Sequence, residues 1–152
     1  MKEINKMELK FKAISENESF ARASVAGFCL GLNPTMDELT DIKTAVSEAV
    51  TNSIVHAYPT DKKGEVTLSV TIFEGNLLKI EIRDYGVGIK DVEKAKQPFF
   101  TTKPNEERSG MGFTVMESFM DSLTVKNEKT GGVLVELTKK IESENEKMKK
   151  LG

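Results

Sequence analysis

Three short runs hold the residues whose types and spacing can do chemistry: Glu48-Ala49-Val50-Thr51-Asn52, Asp84-Tyr85-Gly86-Val87-Gly88 and Ser109-Gly110-Met111-Gly112. In the first, a carboxylate and a carboxamide stand four residues apart, one turn on a helix, so both can meet one ligand. Glu48 is then placed to orient or deprotonate a nucleophile beside a γ-phosphate. Asn52 can offer its side-chain oxygen to a magnesium ion bridging phosphates. In the second run, Asp84 at a strand end can accept a hydrogen bond from an exocyclic amine. Adenine N6 fits such an acceptor, and the O6 of guanine does not. Gly86 and Gly88 let the backbone turn with positive φ and approach a flat ligand closely. In the third, Gly110 and Gly112 at a helix start expose backbone N–H groups to phosphate, and the helix dipole adds to the attraction. Lys103 and Arg108 lie between the second and third runs and can neutralise phosphate charge if that stretch closes as a lid. The pattern is neither a Walker A loop nor a dinucleotide fingerprint.

The elements that must position these groups follow from periodicity. Asp37 to Tyr58 reads as one amphipathic helix, with Leu39, Ile42, Val46, Ala49, Val50 and Ser53 on its buried face. Thr35 and Glu38 are spaced as a capping box, Pro34 suits a first turn, and Pro59 stops the helix. Met7 to Ala13 alternates as a half-buried strand. Ser15 and Glu18 repeat the capping-box spacing and open a helix to about Leu30, with Gly31 as its stop and Phe20, Val25, Phe28 and Leu32 on its inner side. Residues 59–64 are a loop by composition. Val66 to Ile72 and Leu78 to Ile82 are two strands of a hairpin through Glu74-Gly75-Asn76. From Asp84 to Gly112 the pattern breaks, apart from a short helix around Asp91–Lys96. So long an irregular stretch in a compact domain is usually functional or disordered, and Phe99-Phe100 argues for function. Phe113 to Phe119 or Met120 is again helical, and two strands close the pattern around Lys129-Thr130-Gly131-Gly132. Strands with one apolar face and hairpin-length connections predict a two-layer α/β sandwich. Its sheet would be mixed and mainly antiparallel, covered by helices on one face.

The 152 residues suit one domain, over 1–140, with a charged tail, 141–152, that is expected to be disordered. Charge is nearly balanced at −2, which argues against nucleic-acid or membrane binding as the main activity. No apolar run approaches the roughly 20 residues that span a bilayer, and the N-terminus has no signal-peptide core. A single cysteine, Cys29, allows no internal disulfide and suits a reducing cytoplasm; it falls in an apolar helical pattern as a small core residue. One cysteine and one histidine argue against a structural zinc site. His56, inside the long helix, reads as a structural residue and not as a phosphoacceptor.

The three boxes together resemble the nucleotide site of the superfamily containing gyrase, heat-shock protein 90, histidine kinases and MutL (the Bergerat fold). Further runs are similar to the anti-sigma factor family that controls sporulation sigma factor F. They are Asn17-Glu18-Ser19-Phe20-Ala21-Arg22, Pro34-Thr35-Met36-Asp37-Glu38-Leu39, Val46 to Asn52, Gln97-Pro98, Phe100-Thr101-Thr102-Lys103-Pro104 and Glu107 to Phe113. The resemblance covers roughly Leu9 to Leu137. It implies a homodimer that binds and inhibits sigma factor F. It also implies a serine kinase that uses Mg-ATP to phosphorylate the anti-anti-sigma partner on serine. By motif it makes Glu48 the catalytic base and Asn52 the magnesium holder. Asp84, with Gly86 and Gly88, would read adenine. Thr101, Thr102, Lys103, Arg108, Ser109, Gly110, Met111 and Gly112 would belong to the lid over the phosphates, and Glu18 and Arg22 to the partner-docking surface. Two positions depart from the superfamily pattern: Val133 follows Gly132 where a threonine hydroxyl often supports the adenine contact, and bulky Tyr85 stands second in D-x-G-x-G.

Overall fold

The computed structural model describes residues 1–58, 64–97 and 112–142. Five strands, β1 (Glu3–Lys12), β2 (Glu65–Phe73), β3 (Leu77–Asp84), β4 (Ser122–Asn127) and β5 (Val133–Lys140), form one sheet in the order β1-β2-β3-β5-β4. Every pairing is antiparallel, which narrows the expected sheet to its antiparallel form. The alternating apolar positions fall in register across the strands: Leu9 opposite Leu68, Leu68 opposite Ile82, Ile82 opposite Val135 and Val135 opposite Val125. That inner face is covered by α1 (Glu16–Cys29), α2 (Met36–Asn52) and α4 (Gly112–Phe119), whose Val25, Ile42, Val46, Val50 and Met116 are fully buried in one core with it. Each such fully buried aliphatic side chain contributes about 1.5–3 kcal/mol through removal from water. The other face is polar, with Lys79 paired to Glu136 at 3.4 Å and Arg83 to Glu128 at 3.2 Å. A two-layer sandwich results, with α3 (Val92–Ala95) a single turn capped by Asp91 Oδ1 on Lys94 N. Packing runs on through Ile141, which is fully buried; residues 143–152, most of the expected tail, lie outside the described residues, as do 59–63 of the expected loop.

The helix entries separate real caps from look-alikes. Thr35 and Glu38 form the expected reciprocal box: Glu38 N donates to Thr35 Oγ1 at 3.1 Å and Thr35 N to Glu38 Oε1 at 2.9 Å. Ser15 and Glu18 have the spacing but not the box. Ser15 takes helical dihedrals that turn its hydroxyl from the N–H groups, and Glu18 instead accepts from Ser47 Oγ and pairs with Arg22 at 3.6 Å. Gly31 is not the stop of α1. A 3₁₀ turn, Leu30–Leu32, follows Cys29, and the left-handed residue that ends it is Asn33 at φ 53°, a residue that tolerates this region through its short polar side chain. Nor is Phe20 on the inner side: it is 57% exposed, and the buried stripe runs Ala21, Val25, Cys29 at four-residue spacing. Cys29 is buried as expected, and burial pushes its thiol up to about 12, so it stays protonated.

Candidate functional site

The long helix expected to reach Tyr58 is α-helical only to Asn52. It continues as a π-helical turn, Ser53–Ala57, which adds a residue to the turn and shifts the side chains that follow. Such turns recur at functional sites. Ser53, at the start of this one, sets its hydroxyl on the Asp84 carboxyl, and the turn brings the Ala57 carbonyl to Val87 N at 2.9 Å. Ser53 is therefore buried against a polar partner, not only against the core.

Asp84 is 3% exposed at the end of β3, on the inner face opposite Val66. Its Oδ1 accepts from Gly86 N and from Val133 N, each at 3.1 Å. Burial raises its carboxyl above the ordinary value, while those two bonds and Ser53 pull the other way. The two glycines after it do different work. Gly88 has φ +78°, as the sequence suggests. Gly86 does not have a positive φ; it is glycine because a Cβ there would lie 2.0 Å from the Ala57 carbonyl oxygen. Gly132 fits the same way against the other side of Asp84, whose carbonyl oxygen would stand 2.1 Å from a Cβ. At Val133 the backbone N–H, not the side chain, meets Asp84, so the missing threonine hydroxyl takes nothing from this bond.

Tyr85 points away from the helices: its hydroxyl lies 3.1 Å from Thr67 Oγ1 on the polar face of the sheet, and the side chain is 49% exposed. Sequence reasoning used Tyr58 only as the helix end. Its hydroxyl accepts from Tyr85 N at 2.7 Å and donates to Glu65 O at 2.7 Å. Burial raises this phenol, so it keeps the proton it donates. A second group missed by sequence reasoning is Asn127 at the end of β4. Its Oδ1 accepts from Ile89 N at 2.8 Å and its Nδ2 donates to Ile89 O at 2.7 Å. No local pattern marks either residue, because each bond spans distant chain positions.

Asn52 meets the third run at Gly112, the first residue of α4, where a Cβ would stand 2.8 Å from Asn52 Nδ2. Thr101, Thr102, Lys103, Arg108, Ser109, Gly110 and Met111, with Phe99-Phe100, lie outside the described residues. Glu48, half-buried one turn before Asn52, lines a cleft between α1 and α2 with Arg22, Lys43, Thr40, Thr44 and Ser47. Arg22 and Glu48, which fall on different helices, are thus brought to one cleft. Among the described residues no group of three or more Asp, Glu, His or Cys gathers as a metal site. A cation beside Asn52 would take its remaining ligands from nucleotide oxygens and water, the usual arrangement for magnesium. No helix among them is long and apolar enough to cross a membrane. The arrangement therefore offers a buried acceptor beside glycine-walled backbone, a carboxamide under a helix N-terminus, and a carboxylate opening towards a cationic cleft. These suit an amine-bearing base, a phosphate chain and an incoming nucleophile in turn.

Residues 12–139 match the histidine kinase-like ATPase domain family. The anti-sigma F factor of Geobacillus kaustophilus is 58% identical over 137 residues, 90% of this chain and 93% of its own length. That of Bacillus subtilis is 56% identical over 135 residues, 89% and 92%. Among solved structures, the RsbU and RsbW domains of a Mycobacterium tuberculosis protein superpose with TM-score 0.66 at 17% identity, over 91% of this chain and 33% of theirs. The catalytic domain of histidine kinase ThkA superposes with TM-score 0.55 at 17% identity, over 91% and 99%. At such identities the two structures speak to the fold alone, and they carry the same ATPase fold.

Proposed function

The chain belongs to the anti-sigma F factors, within the histidine kinase-like ATPase domains, and from that premise we propose that it holds sigma factor F inactive and, as a serine kinase, phosphorylates an anti-anti-sigma partner with Mg-ATP. The observation that carries the reading is the meeting of the three runs at the C-terminal end of α2. Asp84 is tied there through Ser53, the D-x-G-x-G loop through Ala57, and Gly112 through Asn52.

Bound Mg-ATP supplies the γ-phosphoryl group and a cation that offsets charge as the group transfers. Asp84 accepts from the adenine amine. Its Oδ1 is already engaged by two backbone N–H groups, so the carboxyl is held in one orientation before nucleotide arrives. Gly86 and Gly88 let the loop lie close against the Ala57 carbonyl and Asn127, and so shape the backbone beside the base. Asn52 would offer its side-chain oxygen to the metal, and the N-terminus of α4 would offer backbone N–H groups to the phosphates. Glu48 takes the proton from the partner's serine hydroxyl. Arg22 and Glu18, beside the same cleft, dock the partner so that its serine reaches Glu48. The resemblance extends the phosphate contacts to Thr101, Thr102, Lys103, Arg108, Ser109, Gly110 and Met111. It also implies a homodimer; the exposed side of β1, with Ile4, and of α1 is the surface we propose for it. These roles suit a cytoplasmic regulator of sporulation transcription in a single domain that takes in Ile141 and Glu142 beyond the expected boundary at 140.

The test is recovery of partners from sporulating cells with ADP or ATP present, together with incubation of the chain with labelled ATP and the recovered partner. A sigma factor recovered with ATP, and label on a serine of a small second protein, are expected. A partner that binds but takes no label would leave an anti-sigma factor without kinase activity and overturn the enzymatic half.

A further inference from the structure

We infer that Asn127 is a positioning residue for the nucleotide site: its carboxamide clamps the backbone of Ile89 and so fixes the wall of the base pocket before nucleotide binds. The inference rests on the nucleotide reading above. Both polar ends of the amide act on one residue, Oδ1 accepting from Ile89 N at 2.8 Å and Nδ2 donating to Ile89 O at 2.7 Å. Asn127 thus continues the β4 edge as a further strand rung would, although residues 85–91 form no strand. Gly88 is pressed against it: at φ +78° its missing Cβ would lie 2.8 Å from Asn127 Oδ1. The loop from Asp84 is fastened to the π turn by Val87 N and to β4 by Ile89. The next element, α3, is one four-residue turn with no buried residue, and it packs on the core only partly, through Val92. The Ile89 side chain packs on the core but leaves its peptide groups to be directed, and Asn127 directs them.

Function follows from the cost of ordering. A loop that nucleotide must first organise subtracts that cost from the observed affinity. A loop already clamped does not. The Asn127 amide satisfies both Ile89 groups; alanine offers neither bond, and aspartate accepts from the N–H but cannot donate to the carbonyl. Losing two exposed bonds corresponds to a three- to tenfold change in affinity, at about 1 kcal/mol for the pair.

The experiment uses the full chain with Asn127→Ala, Asn127→Asp and Lys126→Ala, an exposed neighbour on the same strand, as control. Mg-ADP is titrated by calorimetry, exchange of the Ile89 amide is followed by NMR without nucleotide, and KM and kcat for ATP are measured with the serine partner. Expected for both Asn127 variants are a Kd and KM raised about three- to tenfold, an unchanged kcat, a nucleotide-free Tm lowered by no more than about 2–4 °C and, for alanine, faster exchange at Ile89. Lys126→Ala matches the unsubstituted chain throughout. An unchanged Kd in Asn127→Ala overturns the inference, as does a lower kcat at unchanged KM or a Kd weakened as much in Lys126→Ala. If the unsubstituted chain itself fails to bind Mg-ADP, the nucleotide reading falls first and this inference with it.

Discussion

Gly132→Ala is the substitution with the most consequences for the least added volume. A Cβ at this position would stand 2.1 Å from the carbonyl oxygen of Asp84 and 2.7 Å from the Cα of Tyr85, both backbone atoms that cannot swing aside. Reaching ordinary contact requires the ends of β3 and β5 to part by about 1.3 Å. The Val133 N to Asp84 Oδ1 bond, at 3.1 Å, then passes out of range, because hydrogen bonds weaken steeply beyond about 3.5 Å. The backbone adds a second cost, since φ is +87° and a side chain in the left-handed region loses about 1–2 kcal/mol. With about 1–3 kcal/mol for overpacking, the expected loss is about 2–5 kcal/mol, a large part of an ordinary domain's 5–15 kcal/mol. Urea unfolding measures it, with Mg-ADP titration on the folded fraction. Gly27→Ala is the control: nothing lies within 4 Å of its Cβ, and alanine in α1 should gain about 0.5–1 kcal/mol. If Gly132→Ala unfolded at the unsubstituted midpoint and bound Mg-ADP equally, the close approach of the two strand ends would not be what holds Asp84 in place.

Asp84→Asn should move stability and binding in opposite directions. Burial raises the folded carboxyl above its unfolded value, so its contribution to stability is present below the unfolded pKa and is lost as pH rises through the folded one. Urea midpoints of Asp84→Asn should therefore gain on the unsubstituted chain from pH 4 to pH 7, a trend absent if the carboxyl were unshifted. Its Oδ1 would stay on Gly86 N and Val133 N, turning Nδ2 towards the adenine amine. ATP affinity should fall about 10- to 100-fold, as for a lost hydrogen bond to a charged group. Glu38→Ala should cost about 2–4 kcal/mol in urea unfolding, because the 7% exposed carboxylate caps α2 through Thr35 N and also holds Glu142 N at 2.9 Å. A loss under 1 kcal/mol would mean that the anchor to Glu142 adds nothing.

What the sequence disclosed and what it hid divide along the range of the interactions. The α2 face, the Thr35–Glu38 box and the strand alternation depend on neighbours within four residues or on a simple period, so they are legible. Ser15-x-x-Glu18 has the same local signal, but a distant Ser47 and a nearby Arg22 compete for the carboxylate and win. Gly86 looked like a flexible turn; its reason is the Ala57 carbonyl, about thirty residues away along the chain. The π turn at Ser53–Ala57 is invisible to a 3.6-residue period, because the apolar pattern continues through it while the wheel behind it rotates. Asn127 and Tyr58 act through backbone groups of remote segments, which leave no trace in the partner's side chains. The candidate site was thus readable as three boxes of residue types, whereas the struts between them emerge only with the fold.

The central claim is that Glu48, one turn from Asn52 and beside the Arg22 cleft, removes the proton from a partner's serine. Glu48→Gln keeps the shape and one acceptor oxygen but cannot take that proton. With labelled ATP and the anti-anti-sigma partner, Glu48→Gln should bind nucleotide and partner as the unsubstituted chain does and transfer phosphate at least about 100-fold more slowly. Transfer at the unsubstituted rate would contradict the account.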